Sequence, residues 1–534
     1  MKRYEMIVIG AGPAGLSAAC VAAEAGMDVV VFDENQRPGG QLFKQIHKFF
    51  GSREHQAGIR GVKIGENLLE SAKNAGVKVV LGATVLGIYK NKELAVRFGG
   101  AVHNYKADAV VIAAGASENM MTFDGWTKPG VMGAGAAQTL MNLHGVRPGK
   151  RVLTVGSGNV GLVVSFQLLQ AGCDVVAIID AAPRIGGYGV HAAKLARMGI
   201  PFHTSHTIVK ALGGDFVDGA VIAETDEAFA PKPGTEKNLD VDTICIAVGL
   251  SPMSRLADNA GCDIVYDGAK GGYVPLLSDE GETSLSGIFC AGDVCGIEEA
   301  SSAMIQGKIA AAAAARDLGY LSGEDFIQKT GEYKDSLKKI RSGMFGPESK
   351  GRADIARTDE GYPLSRSLLQ RGFIADDEVT GFPSIAHGGG TRAVIECTQN
   401  IPCDPCQDIC PQGCIEVGEN ITSLPALTGN KECIGCGLCV GVCSGQAIFL
   451  INDDFEAGYG TVGLPYEFLP LPEKGAVGRA LDRSGKEICD AVVVETVNSK
   501  AMGKTPMLVM KVPTASLAGA RFFRADADGA RKGG

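Results

Sequence analysis

The chain has 534 residues, enough for about three to four domains, and its 45% hydrophobic and 21% charged residues are an ordinary globular balance. Lys plus Arg number 51 against 60 acids, and the net charge of −9 argues against a general nucleic-acid or anionic-membrane binder. No run of about 18 apolar residues suggests a transmembrane helix, and Met1-Lys2-Arg3-Tyr4-Glu5 lacks a signal-peptide core, so the expected location is cytoplasmic.

The first segment alternates an apolar run, a glycine turn, an alanine-rich helical pattern and a second apolar run. Met6-Ile7-Val8-Ile9 leads into Gly10-Ala11-Gly12-Pro13-Ala14-Gly15, and Val29-Val30-Val31-Phe32 ends at Asp33-Glu34. This is strand, G-x-G-x-x-G, helix, strand, acid. The glycines let backbone N–H groups approach a pyrophosphate at a helix N-terminus, and the acid accepts ribose hydroxyls. A second copy starts at Arg151-Val152-Leu153-Thr154-Val155, turns at Gly156-Ser157-Gly158-Asn159-Val160-Gly161, and closes its second strand at Asp180. An acid there favours NAD over NADP, because it repels a 2′-phosphate. A second Rossmann domain kept for architecture, or for another nucleotide, is the alternative.

Two further strands, Ala109 to Gly115 and Thr243 to Gly249, end in small residues. Ser286-Gly287-Ile288-Phe289-Cys290-Ala291-Gly292-Asp293 then precedes a helical pattern from about Glu299 to Leu318. A strand delivering Gly-Asp onto a helix start suits a second nucleotide contact.

With these four motifs in order, residues 1–330 resemble the two-dinucleotide-binding flavoproteins that include glutathione and thioredoxin reductases. The resemblance implies FAD at Gly10, Gly12, Gly15, Asp33, Glu34, Gly40, Gln41, Gly115, Gly292 and Asp293. It implies NAD at Gly156, Gly158, Asn159, Gly161 and Asp180. The chain departs from the disulfide reductases of that family: Leu42 to Gly51 contains no cysteine, and the second domain has no C-x-x-C. Cys290 and Cys295 bracket Gly292-Asp293, and packing is the favoured reading for them. The phrase from Asp124 to Gln138, which contains the single Trp126, and Arg37-Pro38-Gly39-Gly40-Gln41 resemble the FAD/NAD-binding subunits of multisubunit sarcosine oxidases, proline and hydroxyproline dehydrogenases, opine oxidases and hydrogen cyanide synthases. That resemblance implies a hetero-oligomer in which a second, amino-acid-oxidase-like flavoprotein subunit oxidises a C–N bond.

Nine of the 16 cysteines fall between Cys397 and Cys443. Their runs are Cys397-x5-Cys403-x2-Cys406-x3-Cys410-Pro411 and Cys433-x2-Cys436-x2-Cys439-x3-Cys443. The second has bacterial ferredoxin spacing, and the first has one enlarged gap. The fourth cysteine of each run belongs to the other cluster. Cys397, Cys403, Cys406 and Cys443 are therefore assigned to one 4Fe-4S cluster, and Cys433, Cys436, Cys439 and Cys410 to the other. Paired C-x-x-C sites also suit zinc; the two runs ending C-x3-C favour iron–sulfur. Cys414 reads as packing. His47 and His191 each follow a glycine-bearing turn, where a plain surface or core histidine is the favoured reading.

The expected fold class is α/β. It has an FAD-binding domain at 1–120 and 246–330 with an NAD-binding Rossmann domain inserted at 121–245. A linker with short helices at 331–390, a ferredoxin-like dicluster domain at 391–455 and a small β module with a tail at 456–534 complete it. The tail from Asp526 reads as disordered, and the module's task stays open between covering the clusters and docking a partner. No paired carboxylates, P-loop or nucleophile elbow appears, so the cofactors carry the chemistry. The expected function is the electron-transferring subunit of an oligomeric amine or amino-acid dehydrogenase. The alternatives are a self-contained NAD(P)H:ferredoxin-type oxidoreductase, electron-bifurcating or not, with a ferredoxin as partner, and a scaffold whose nucleotide sites stabilise a complex.

Overall fold

The alternation of apolar runs and glycine turns builds two units, seen in a computed structural model that describes residues 1–343, 346–347, 356–379, 382, 385, 390–429 and 431–526. The first unit comprises Met1–Ile46, Arg60–Asn119 and Gly249–Arg352, and the second His47–Ile59, Met120–Val248 and Ala353–Gly534. Among the described residues no helix is long and apolar enough to cross a membrane.

In the first unit the strands Lys78–Leu81, Val29–Asp33, Lys2–Ile9, Ala101–Ile112 and Ile288–Cys290 pair in parallel. The strand Ala101–Ile112 also carries an antiparallel extension, Glu93–Phe98 and Thr84–Ile88. Val29–Asp33 is buried along its whole length, as its unbroken apolar run requires of a strand covered on both faces. One core cluster joins Ile7, Val30, Phe32, Val110, Ile112 and Ile288.

Helix Pro13–Glu24 packs against helix Ala300–Asp317, whose alanine-rich sequence allows a close approach. Gly307 is the tightest point: a Cβ built there lies 2.1 Å from the Ala14 carbonyl oxygen. Gly307→Ala should therefore destabilise by about 1–3 kcal/mol through overpacking. In an exposed helix the same change would stabilise by about 0.5–1 kcal/mol, so the sign of the shift in urea midpoint checks the packing.

The region expected as a linker with short helices begins instead with the second half of one long helix, Gly323–Arg341. Ser322 caps it, accepting the Asp325 N–H (3.1 Å). Glu324 and Asp325 lie in the first turn, and Lys338, Lys339 and Arg341 in the last, which complements the helix dipole at both ends. Parts of that expected linker, and the tail beyond Asp526, lie outside the described residues.

The second unit holds a parallel sheet in the order Phe202–Thr204, Asp174–Asp180, Arg151–Val155, Thr243–Ile246 and Val131–Gly133. It also holds a seven-stranded antiparallel sheet. Its order is Thr391–Ile395, Ile448–Glu456, Tyr459–Pro465, Met507–Pro513, Glu487–Val497, Val477–Leu481 and Phe522–Ala525. The cysteine segment is inserted between the first two of these strands, which pair with each other from Thr391↔Asn452 to Ile395↔Ile448. The division expected at 455/456 falls inside the strand Ile448–Glu456, just before its hairpin turn to Tyr459–Pro465. Inside the segment lie two short helices, Pro405–Ile409 and Leu438–Val442, and the small hairpin Ile415–Glu416/Ala426–Leu427.

Candidate functional site: two dinucleotide turns and two cysteine sets

Each glycine turn is fixed by backbone contacts that only glycine allows. In the first unit Gly10 has φ +103°, and a Cβ there would lie 2.3 Å from the Ala113 carbonyl oxygen. A Cβ on Gly15 would lie 1.9 Å from the Gly10 carbonyl oxygen. Gly12 caps helix Pro13–Glu24 without a side-chain partner, which leaves its first N–H groups available to an anion. Asp33 is buried at the end of its strand and accepts the Ala11 N–H (2.6 Å) and the Asn35 N–H (2.8 Å). Gly39 donates to the Ala11 carbonyl (2.6 Å), and a Cβ on Gly40 would lie 3.0 Å from Gly12 Cα. Gly292, φ +80°, would place a Cβ 2.9 Å from the Ala14 Cβ.

The structure thus gathers Gly10, Gly12, Gly15, Asp33, Gly40 and Gly292 around one helix N-terminus, with Asp293 next in the chain. Glu34 and Gln41 are exposed. Gly115, φ +75°, has open space where a Cβ would stand.

The second turn repeats this pattern bond for bond. Gly156 has φ +103°, and its Cβ would lie 2.2 Å from the Ala247 carbonyl oxygen; that of Gly161 would lie 2.1 Å from the Gly156 carbonyl oxygen. Gly10 donates to Phe32 (2.8 Å) and Gly156 to Ile179 (2.8 Å), each at the end of the neighbouring strand. Gly158 caps helix Asn159–Gln170 without a side-chain partner. Asp180 accepts the Ser157 N–H (2.8 Å), the Ser157 hydroxyl (2.5 Å) and the Ala182 N–H (2.9 Å). Asn159 turns its side chain away from the helix end: Oδ1 accepts the Tyr188 N–H (2.8 Å). Both acids therefore also clamp the second residue of their own turn, a role invisible in the motif.

The cysteines come together as two sets. Burial pushes the Cys397 thiol up to about 12, and Cys443 adds to it. Cys403 is raised well above a thiol's ordinary value by burial and then by Cys406, Cys443 and Cys397. Cys439 is raised by burial and then by Cys433, Cys436, Cys406 and Cys410. The second set, Cys410, Cys433, Cys436 and Cys439, lines one cavity with Cys414 and Ile434. Among the described residues no three His, Cys, Asp or Glu side chains converge on a single ion position. Cys414 is buried, its thiol donates to the Glu432 carbonyl (3.3 Å), and its N–H reaches Cys410 Sγ (3.3 Å).

Buried polar atoms test whether a cluster fits. Thr398 Oγ1 and Gln399 Nε2, both buried in the enlarged x5 loop, have no hydrogen-bond partner. Orphaned donors beside thiols that burial alone would keep protonated suit an anionic group whose sulfurs accept hydrogen bonds. The enlarged gap is a buried polar loop: Gln399 Oε1 accepts the Gly189 N–H (2.7 Å), and Asn400 donates to Glu360 (3.0 Å) and to the Thr422 carbonyl (2.9 Å).

Residues 47–59, which carry no motif, line the first cysteine set. Gly51 bridges to Cys403 and accepts the Asp404 N–H (3.2 Å). Ser444 donates to the Phe49 carbonyl (2.6 Å), and the buried Lys48 donates to the Met502 carbonyl (2.6 Å) and the Gly441 carbonyl. His47 stacks on Phe49, and His191 lies against Phe50 (5.2 Å between ring centroids). Burial, with Lys194 and His47 nearby, pushes His191 well below its ordinary value, which favours the uncharged ring. Cys290 and Cys295 are both raised by burial, in keeping with packing.

Comparison with known proteins matches the segment that holds both turns. Residues 4–316, more than half of the chain, match the family model of pyridine nucleotide-disulphide oxidoreductases. The chain is 31% identical over 338 residues to an opine oxidase subunit of Rhizobium meliloti, covering 60% of this chain and 64% of that protein. It is 25% identical over 377 residues to hydrogen cyanide synthase subunit HcnB of Pseudomonas aeruginosa, covering 66% and 81%. The chain thus spans less than two thirds of the opine oxidase protein's length. The crystal structure of T. acidophilum thioredoxin reductase has the same fold over 60% of this chain and 99% of its own, with TM-score 0.50 and 22% identity.

Proposed function

Since the chain belongs to the pyridine nucleotide-disulphide oxidoreductase family, we propose that it is an FAD-dependent electron-transfer subunit of an oligomeric amine or amino-acid dehydrogenase. FAD binds at the first turn, NAD at the second, and two 4Fe-4S clusters at the two cysteine sets. FAD, when bound, takes two electrons as hydride and can release them singly, while each cluster accepts one. One observation carries the reading: a single chain combines two dinucleotide turns of matching geometry with two sets of four cysteines.

The residues divide the work. The helix N-termini behind Gly12 and Gly158 offer N–H groups to pyrophosphate, and Asp33 and Asp180 retain acceptor capacity for ribose hydroxyls. The desolvated placement of Cys397, Cys403 and Cys406 limits water at the first cluster's thiolates. The substrate is a secondary amine of the proline, hydroxyproline or sarcosine type, oxidised on a second flavoprotein subunit. The relatives named as subunits of an opine oxidase and a hydrogen cyanide synthase support that division of labour.

The test is an anaerobic NADH titration of the purified, iron–sulfur-reconstituted chain, with flavin absorbance and cluster EPR followed together. The expected result is flavin bleaching, reduced-cluster signals and about eight irons per chain. Reduction of both centres by dithionite but not by NADH would overturn the NAD assignment. An iron content near zero with stoichiometric zinc would overturn the clusters.

A further inference from the structure

The first cysteine set is walled by a helix of the second parallel-sheet domain, Gly189–Ala196, whose C-terminal cap is Arg197. Gly189 is held by Gln399 of the x5 loop (2.7 Å), and a Cβ on Gly445 would lie 2.8 Å from Val190. Arg197 is 5% exposed. Its guanidinium donates to the Gln446 carbonyl (3.0 Å), reaches Gln446 Oε1 (3.4 Å) and lies over the Phe449 ring (5.4 Å). Gln446 in turn belongs to the turn that closes on Cys443: its N–H donates to the Cys443 carbonyl (3.1 Å), and the Ala447 N–H reaches Cys443 Sγ (3.4 Å).

Arg197 forms no ion pair among the described residues, whereas its buried neighbours Arg483 and Arg521 share Glu396. The charges that face Arg197 are Glu396, Cys443 and Arg521. Glu396 is the one carboxylate facing three buried guanidiniums, two of which it pairs with directly, so it matches only part of the Arg197 charge and the rest faces the anionic group that the cysteines hold. A buried cation hydrogen-bonded only to amide oxygens is costly unless an anion compensates it.

Resting on the dicluster reading above, we propose that Arg197 is a positioning residue that raises the reduction potential of the cluster held by Cys397, Cys403, Cys406 and Cys443. One-electron reduction adds a negative charge to a cluster already anionic, and burial away from water opposes that step. A guanidinium fixed one turn from Cys443 offsets the opposition, because its attraction grows in a medium of low dielectric constant. Among the described residues no buried arginine is placed in this way at the other set: the cation beside it is the exposed Lys431, next to Gly413, its cavity is lined by cysteines, Pro411, Gln412, Ile434 and small or apolar residues, and Ile434 is 61% exposed. The two clusters therefore differ in potential for a reason encoded outside the cysteine segment.

The experiment is an EPR-monitored anaerobic redox titration of the full reconstituted chain, wild type against Arg197→Met, Arg197→Gln and Arg197→Lys. A Cys436→Ser variant, which disables the other cluster, assigns the signals. In both neutral variants the assigned midpoint should fall by at least about 59 mV, a tenfold change in its one-electron equilibrium. The other midpoint should stay in place, and Lys should restore most of the shift. Met fills the site with apolar volume, so one neutral variant is expected to fold even if Gln does not. Unchanged midpoints in the neutral variants, or equal movement of both clusters, would overturn the proposal. Absence of any reduced-cluster signal in dithionite-treated wild type would instead sink the dicluster reading itself.

Discussion

Gly156→Ala is expected to yield a protein that keeps its flavin but is no longer bleached by NADH, while Gly10→Ala loses flavin during purification. The two changes are chemically identical and fall on geometrically equivalent atoms, so each serves as the control for the other. Both glycines sit at φ +103°, where a side chain costs about 1–2 kcal/mol. The added methyl would also stand 2.3 Å from the Ala113 carbonyl oxygen at Gly10, or 2.2 Å from that of Ala247 at Gly156. Neither obstacle is a flexible side chain. Each is backbone that continues the neighbouring parallel strand, so the turn itself must move, at about 1–3 kcal/mol more. Since 1.4 kcal/mol is tenfold in affinity, the sum predicts a loss of roughly thirtyfold or more. Flavin-to-protein absorbance ratio and an anaerobic NADH titration read the two losses separately. Wild-type bleaching by Gly156→Ala would mean that NADH reaches the flavin without using the second turn.

These turns can be read directly in the sequence because their physics is local. A glycine at positive φ, a strand that ends beneath it and an acid about two dozen residues on are all set within one βαβ unit, and the tertiary fold only has to leave them intact. The cysteine sets are legible for the same reason, since short spacings bring thiols together whatever surrounds them. Helix Gly323–Arg341 escapes the sequence reading although its signal is present: Phe326, Thr330, Leu337 and Ile340 recur at helical spacing behind a capping serine. The wall of the first cysteine set is not legible at all. Lys48 meets Gly441 and Met502 across 393 and 454 residues, and no pattern in residues 47–59 announces it. Likewise the strand Thr391–Ile395 finds its partner only beyond the whole cysteine segment. The Rossmann motifs are set locally; what surrounds the cysteine sets lies in long-range packing.

The buried ion network beside that wall predicts the largest effect on stability. The Glu396 side chain is only 11% exposed and accepts from Arg483 (2.6 and 2.9 Å) and Arg521 (2.7 Å) through one oxygen. Burial alone would raise its carboxyl, but the two guanidiniums outweigh it and hold the group at about 2, against an ordinary 4.5. A carboxylate whose folded value is depressed contributes stability that is present above the unfolded value and lost as pH falls toward the folded one. The window here runs from about pH 4.5 down to about 2, and the shift corresponds to about 3 kcal/mol. Glu396→Gln removes the carboxylate at every pH and leaves Arg521 buried among aromatic and backbone groups and Arg483 with only the exposed Asp376 (3.1 Å), which should cost about 3–5 kcal/mol. Replacing Glu396, Arg483 and Arg521 together by Met and Leu should recover most of that loss, because burying no charge is cheaper than burying unmatched ones. Urea unfolding at pH 7 followed by far-UV circular dichroism decides it. A single variant as stable as wild type would show that the guanidiniums find compensation elsewhere, and a triple variant no better than the single would show that the network contributes through shape rather than charge.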